Sequence, residues 1–186
     1  KDNPQIAFVK LDCNRAVTNP GSTYLPANEQ SHIWIEYGRG LLNVFKKIRD
    51  SHPDVHFMLC SGGGGRLDYG SLRYFEEYWP SDNTDVLQRI LIKWGNSQFF
   101  PSIAMCCHVS ASPNHQTGRT TPLKFRFDVA MQGALGMDLQ PSTMNEKEVI
   151  FAKEAIKTYE SIRNIVFTGD LYRILSPYEG NLTSMM

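Results

Sequence analysis

Two aspartates in this 186-residue chain stand where carboxylate chemistry could happen. Asp12 closes an apolar run, Ile6 to Leu11, that carries Lys10. Residues two apart on a strand share a face, so Lys10 and Asp12 would stand side by side. Such a pair suits a reactive carboxylate, and it suits a structural ion pair equally well. Asp82 sits in the run Trp79-Pro80-Ser81-Asp82-Asn83-Thr84-Asp85. An aspartate there could act as an acid or belong to a turn, while Thr84 or Asp85 is placed to cap a following helix. Between the two lies Cys60-Ser61, then four glycines, Gly62 to Gly65, then Arg66-Leu67-Asp68. Glycines at a strand end let a ligand approach the backbone closely. A phosphate cradle would continue into Gly-Lys-Ser or Gly-Lys-Thr, and this run does not.

The four cysteines are Cys13, Cys60, Cys106 and Cys107, and none has Cys-x-x-Cys spacing. Each lies in or at the end of an apolar run, as buried or site-lining thiols do. Neighbours Cys106 and Cys107 on a strand would point to opposite faces, which argues against a shared metal. His108 beside them completes no standard ligand spacing. The expectation is a site with no metal and no organic cofactor.

The elements that must position these residues alternate. Gln5 to Asp12 reads as a buried strand of a parallel sheet. A loop, Arg15 to Gln30, leads to a helix over Ser31 to Ser51, whose apolar stripe includes Ile33, Tyr37, Leu41, Phe45 and Ile48. Val55 to Cys60 is the next strand. Ser71 to Glu77 reads as a short helix and Tyr78 to Ser81 as a short strand with Pro80 at its end. Val86 to Gly95 is a helix with Leu87, Ile90, Leu91 and Trp94 on its apolar face. Trp94 there is expected to be core. Ser102 to His108 is a strand, and Val109 to Pro122 a long polar loop of the kind that carries function. Leu123 to Gln132 reads as a helix, Gly133 to Leu139 as a strand, and Asn145 to Thr168 as a helix stopped by Gly169. Strand-helix alternation of this kind makes a parallel sheet. With five strands the chain is about three strand-helix units short of a closed (β/α)8 barrel, which typically needs about 250 residues.

In order along the chain, these blocks resemble glycoside hydrolase family 36, the bacterial-type alpha-galactosidases. The resemblance rests on Lys10-Leu11-Asp12-Cys13-Asn14-Arg15, on Cys60 to Asp68, and on Trp79 to Asp85. It continues through His108-Val109-Ser110, Pro113-Asn114, Gln116-Thr117-Gly118-Arg119 and Thr121-Pro122-Leu123. It implies an α/β fold, a (β/α)8 TIM barrel of which this chain would supply about the fourth to eighth strands. Residues 1–175 would be the C-terminal half of the catalytic domain, and residues 176–186 a linker toward a C-terminal β domain. It implies that Asp12 is the nucleophile and Asp82 the general acid/base of a retaining hydrolase. Lys10, Cys60, Gly62, Gly63 and Trp79 would line the sugar pocket, with Arg66 and Asp68 supporting it from nearby. Retention places two carboxyls about 5–5.5 Å apart. Leu11 and Cys13 replace the Trp and Met usual in the family's block, but Asp12 is retained.

The resemblance also implies partners: an alpha-galactoside oligosaccharide, the remaining domains of a longer parent chain, and further copies in a homo-oligomer. A chain that opens on Lys1 and reaches its first strand within a few residues is expected to begin inside a protein. The alternatives are an alpha-N-acetylgalactosaminidase, a galactosyl-transferring relative, or a piece that is inactive in isolation. Zero formal net charge gives no electrostatic footprint for nucleic acid, and no apolar run approaches the length of a membrane span. A cytoplasmic or periplasmic, bacterial-type location is favoured, with free thiols leaning toward a reducing compartment.

Overall fold

The computed structural model describes residues 3–14 and 17–186. Arg15, the last residue of the first matching block, lies outside the described residues. The chain divides into two compact units, Lys1–Trp79 and Pro80–Met186.

The first unit is built on β1 (Phe8–Asp12), α1 (His32–Ser51), β2 (His56–Cys60), α2 (Tyr69–Leu72) and β3 (Glu77–Tyr78). The strands pair in parallel in chain order. Asp12 stands opposite Cys60, and Leu59 opposite Tyr78. Period-2 alternation sends Val9 and Leu11 to one face of the sheet, where they border a small cavity with Phe45, Ile48, Phe57 and Phe75. Phe75 meets Phe45 edge-on at 4.9 Å between ring centroids, a favoured aromatic geometry. The opposite face carries Phe8, Lys10 and Asp12, with Met58 and Cys60 beside them.

The expected helix over Ser71 to Glu77 is shorter and earlier. Asp68 accepts the Ser71 N–H at 2.7 Å and starts α2 at Tyr69. The sheet captures the residues after this helix. Glu76 donates its N–H to the Phe57 carbonyl at 3.1 Å and accepts the Phe57 N–H on its carboxylate at 2.8 Å. Trp79 continues the pairing through its N–H to Leu59 O at 2.9 Å. Pro80 has no N–H to offer, so the ladder stops there.

The second unit holds α3 (Val86–Asn96), β4 (Cys106–Ser110), α4 (Leu123–Ala130), β5 (Ala134–Asp138) and α5 (Glu146–Thr168). Strands β4 and β5 pair in parallel, with Cys106 opposite Ala134 and Ser110 opposite Asp138. Val109, Phe127, Ala130, Ala152 and Ala155 form the core between strand and helices. Asn145 and Glu148 close a reciprocal capping box on α5. Tyr159 ties α5 to the sheet, its hydroxyl donating to Gly133 O at 2.7 Å and accepting from Leu135 N–H at 3.2 Å. Cys106 and Cys107 are both fully buried, one on each face of β4.

Helix α3 differs from its sequence reading. Its buried stripe is Val86, Arg89, Lys93 and Trp94, while Leu87 is exposed. Two cationic heads find polar partners inside: Arg89 reaches Ser81 O, and Lys93 donates to Val129 O. Burial pulls the Lys93 ammonium below its usual pKa. Apolar periodicity cannot register such residues as core, because their stems are buried and only their tips are polar. Leu87, Ile90 and Leu91 instead border a shallow cavity with Pro177 and Leu182. The tail read as a linker also carries structure: β6 (Arg173–Leu175) and β7 (Ser184–Met185) pair antiparallel. Among the described residues, no helix is long and apolar enough to cross a membrane.

Phe127 has no exposed surface and packs edge-on to Phe151 at 5.8 Å. Phe127→Ala is expected to destabilise the second unit by about 3–5 kcal/mol, read as a lower urea midpoint at unchanged slope.

Candidate active site

One group of predicted residues gathers at the C-terminal edge of the three-stranded sheet. Parallel pairing sets Cys60 beside Asp12, residues 48 positions apart in sequence. Lys10 lies one pleat below on the same face, its Nζ 4.0 Å from the Asp12 carboxylate. The same ammonium stands 5.3 Å from the centroid of the Trp79 ring, within cation–π range. Four predicted residues thus converge: Lys10, Asp12, Cys60 and Trp79. Lys10 and Asp12 are partly exposed, so their pairing adds little stability; its effect is a positive charge beside a carboxylate. Cys60 is 1% exposed. Burial raises its thiol pKa, and the neighbouring Asp12 carboxylate acts the same way, against the Gly63 N–H and the Lys10 charge. The proton therefore stays on sulfur.

The glycine loop is shaped by its own bonds. Gly62 and Gly63 hold φ of 56° and 83°, backbone that favours glycine. A Cβ on Gly65 would stand 2.6 Å from Ser61 O. Two of these glycines spend their N–H groups within the chain. Gly62 N–H donates to Asn14 Oδ1 at 2.6 Å, and Gly65 N–H to Ser61 O at 3.2 Å. The loop is instead fastened to the end of β1: Ser61 Oγ donates to the Cys13 carbonyl, and Arg66 Nε donates to the same oxygen at 3.3 Å. Arg66 also donates to the Tyr37 hydroxyl at 2.8 Å. Arg66 and Asp68 therefore act as supports, the first on the Cys13 carbonyl and the second as the cap of α2. Neither Asn14 nor Tyr37 was read from the sequence as a site residue. Their signal was weak, since one lies within the block around Asp12 and the other sits on a helix stripe.

Another group of predicted residues belongs to the second unit. Asp82 lies in the segment that leads into α3, is exposed, and makes no hydrogen bond among the described residues. The residues around it are fixed. Ser81 Oγ accepts the Asn83 N–H at 3.1 Å, and Asn83 Oδ1 accepts the Asp85 N–H at 3.0 Å. Asp85, 1% exposed, caps α3 by accepting the N–H groups of Leu87 and Gln88 at 3.0 and 3.1 Å. The cap expected at Thr84 or Asp85 is Asp85.

The long polar loop bolts this segment down. Gln116 Oε1 accepts the Thr84 N–H at 2.9 Å, and Asn114 donates to Thr84 Oγ1 at 3.0 Å. Thr117 and Arg119 donate to the Asp85 carboxylate at 2.7 and 2.5 Å. Burial pushes the Asp85 carboxyl up. The Thr117 hydroxyl, the Gln88 N–H and the Arg119 guanidinium outweigh it and hold the group below its ordinary value of 3.8. Among the described residues, no three His, Cys, Asp or Glu side chains cluster as metal ligands would.

Comparison with known proteins places the chain. The melibiase family model matches residues 1–169. The alpha-galactosidase AgaA of Geobacillus stearothermophilus is 43% identical over 97% of this chain, which spans 25% of that protein. The alpha-galactosidase Mel36A of Lactobacillus acidophilus is 37% identical over the whole chain, again matching 25% of the relative. The crystal structure of the Geobacillus enzyme, a GH36 alpha-galactosidase, overlays with a TM-score of 0.93, covering 97% of this chain and 25% of that one. A variant of that enzyme in complex with stachyose overlays at 0.92 with 42% identity, again covering 97% of this chain and 25% of that one. The chain spans about a quarter of the length of the curated relatives it matches. It belongs to the melibiase family, within glycoside hydrolase family 36.

The geometry predicts two outcomes. Cys13 is exposed and the other three thiols are buried, so iodoacetamide at neutral pH should add one carbamidomethyl group per folded chain, at Cys13, by peptide mass mapping. The depressed Asp85 carboxyl contributes stability that is complete above its unfolded value near 3.8 and is lost as pH falls through the lower folded value. Asp85→Asn should therefore flatten the acid limb of a stability-against-pH curve below about pH 4 and lower stability by about 1–2 kcal/mol.

Proposed function

We propose that this melibiase-family chain carries both carboxylates of a retaining alpha-galactosidase that releases terminal galactose from alpha-galactoside oligosaccharides. The observation that carries the reading is the convergence of Lys10, Asp12, Cys60 and Trp79 on one face at the C-terminal edge of a parallel sheet. In barrel enzymes that edge is the catalytic one. Complexes of the Geobacillus relative with stachyose and raffinose support the substrate class.

In this reading β1 to β5 supply about the fourth to eighth strands of a (β/α)8 barrel, and other parts of a longer protein complete it. Asp12 attacks the anomeric carbon as the glycosidic C–O bond breaks, and Asp82 gives its proton to the departing oxygen. The product of this step is a galactosyl ester on Asp12. Asp82, now a carboxylate, takes a proton from water, and the hydroxide so formed attacks the same carbon and frees Asp12. Each inversion cancels the other, so configuration is retained. The Lys10 ammonium accompanies the Asp12 carboxylate through both steps and can hold a sugar hydroxyl. The enzyme works in this proposal as a homo-oligomer, and the 186 residues alone are inactive, because exposed apolar residues such as Ile6 and Phe8 await packing partners.

In the complete enzyme, Asp12→Ala should lower kcat/KM for raffinose by at least about 10³-fold, about 4 kcal/mol of barrier. NMR of the wild-type reaction should show alpha-galactose before mutarotation. Beta-galactose as the first product, or an active Asp12→Ala variant, would sink the reading. A lower rate on 4-nitrophenyl alpha-galactoside than on its N-acetylgalactosaminide would redirect it to the latter substrate.

A further inference from the structure

Arg89 sits one turn into α3 and is 4% exposed. Taking a guanidinium out of water is costly unless partners hold it. Its Nη2 donates to the Ser81 carbonyl at 2.7 Å, on the residue immediately before Asp82. Burial lowers its pKa, while Cys107, Asp138, Cys106 and the Asp82 carboxylate favour its charge. The chain after Asp82 is held by other means: Asn83, Thr84 and Asp85 are bound to one another and to Asn114, Gln116, Thr117 and Arg119. Asp82 is therefore clamped on both sides while its own carboxylate stays exposed and unbonded. A general acid works when its backbone is fixed and its acidic oxygen is available to the substrate.

We propose that Arg89 is the positioning residue for Asp82, fixing the acid/base through the Ser81 carbonyl so that its proton meets the departing glycosidic oxygen. The inference rests on the assignment of Asp82 as acid/base. Arg89 touches no substrate. Its planar fork suits the task because it sets a direction as well as a distance, which a lysine ammonium does not.

The test uses leaving groups that differ in their need for a proton. In the complete enzyme, kcat/KM is measured on melibiose, whose sugar alkoxide must be protonated to leave, and on 4-nitrophenyl alpha-galactoside, whose phenolate leaves with little help. This ratio constant reports bond cleavage up to the first irreversible step in both cases. Arg89→Gln is expected to lose about 10²-fold on melibiose, the low end of what acid catalysis supplies, and only about threefold on the nitrophenyl substrate. Arg89→Lys should recover part of the melibiose loss. Asp82→Asn is the reference and should show a steeper split of the same kind.

Equal losses on both substrates in Arg89→Gln would mean a general structural role and would overturn the inference, as would wild-type rates on both. Should Arg89→Gln fail to fold, Arg89→Lys decides the matter: a loss confined to melibiose supports positioning, and an equal loss or none rejects it. If Asp82→Asn shows no split, the failure lies with the acid/base assignment rather than with Arg89.

Discussion

Parallel hydrogen bonding decides which residues of this chain meet. Neighbouring strands run the same way, so residues in register end at the same edge. Asp12 and Cys60 are brought together by that rule alone. Trp79 joins them by one further bond, its N–H to Leu59 O. The pleat then does the sorting. Lys10 accompanies Asp12 because they are two apart, while Val9 and Leu11 turn to the apolar side. A slip of one residue would send Asp12 to the apolar face and Leu11 to the face of Lys10, so the packing of half-buried Val9 and Leu11 with buried Phe57 also keeps Asp12 where it is.

The second unit reaches a similar end with side chains instead of a ladder. Asp85 is its hub. One buried carboxylate caps α3 and binds Thr117 and Arg119, so a helix start and a long loop share one anchor. The loop would otherwise be costly to order. Glutamine and asparagine extend the same network to Thr84. The long loop read as functional is thus, for these residues, a brace. Asp82, the proposed acid/base, is the member of the segment that the network does not bind.

In both units the neighbours of a proposed catalytic aspartate are held by hydrogen bonds. Around Asp12, the Cys13 carbonyl is held by Ser61 and Arg66, and Gly62 by Asn14. Around Asp82, Ser81 is held by Arg89 and Asp85 by Arg119. Within the family's motif blocks, many polar side chains bind backbone rather than standing free for a sugar. This is why motif membership alone is a poor guide to role: Arg66 and Asp68 lie in the same block as Cys60, yet one holds a carbonyl and the other starts a helix.

Much of this was legible in the amino-acid sequence. Local rules act over a few residues, so the alternation of strands and helices, the start of α5 at Asn145, the cap at Asp85, the burial of Trp94 and the shared face of Lys10 and Asp12 could be read directly. The ordered blocks carried the family. The features that escaped depend on groups far apart in the chain. The inward face of α3 is set by Ser81 O and Val129 O, which give Arg89 and Lys93 somewhere to go, and no periodicity count contains those acceptors. The glycine N–H groups turned to Asn14 and Ser61 because the loop folds back on the end of β1. The tail formed a strand pair because residues 173 and 185 meet. Sequence by itself determined the elements and the reactive residue types, because propensity and spacing are local. Tertiary structure alone decided which polar groups are free to react and which are bound, because a hydrogen bond is settled only when both partners are in place.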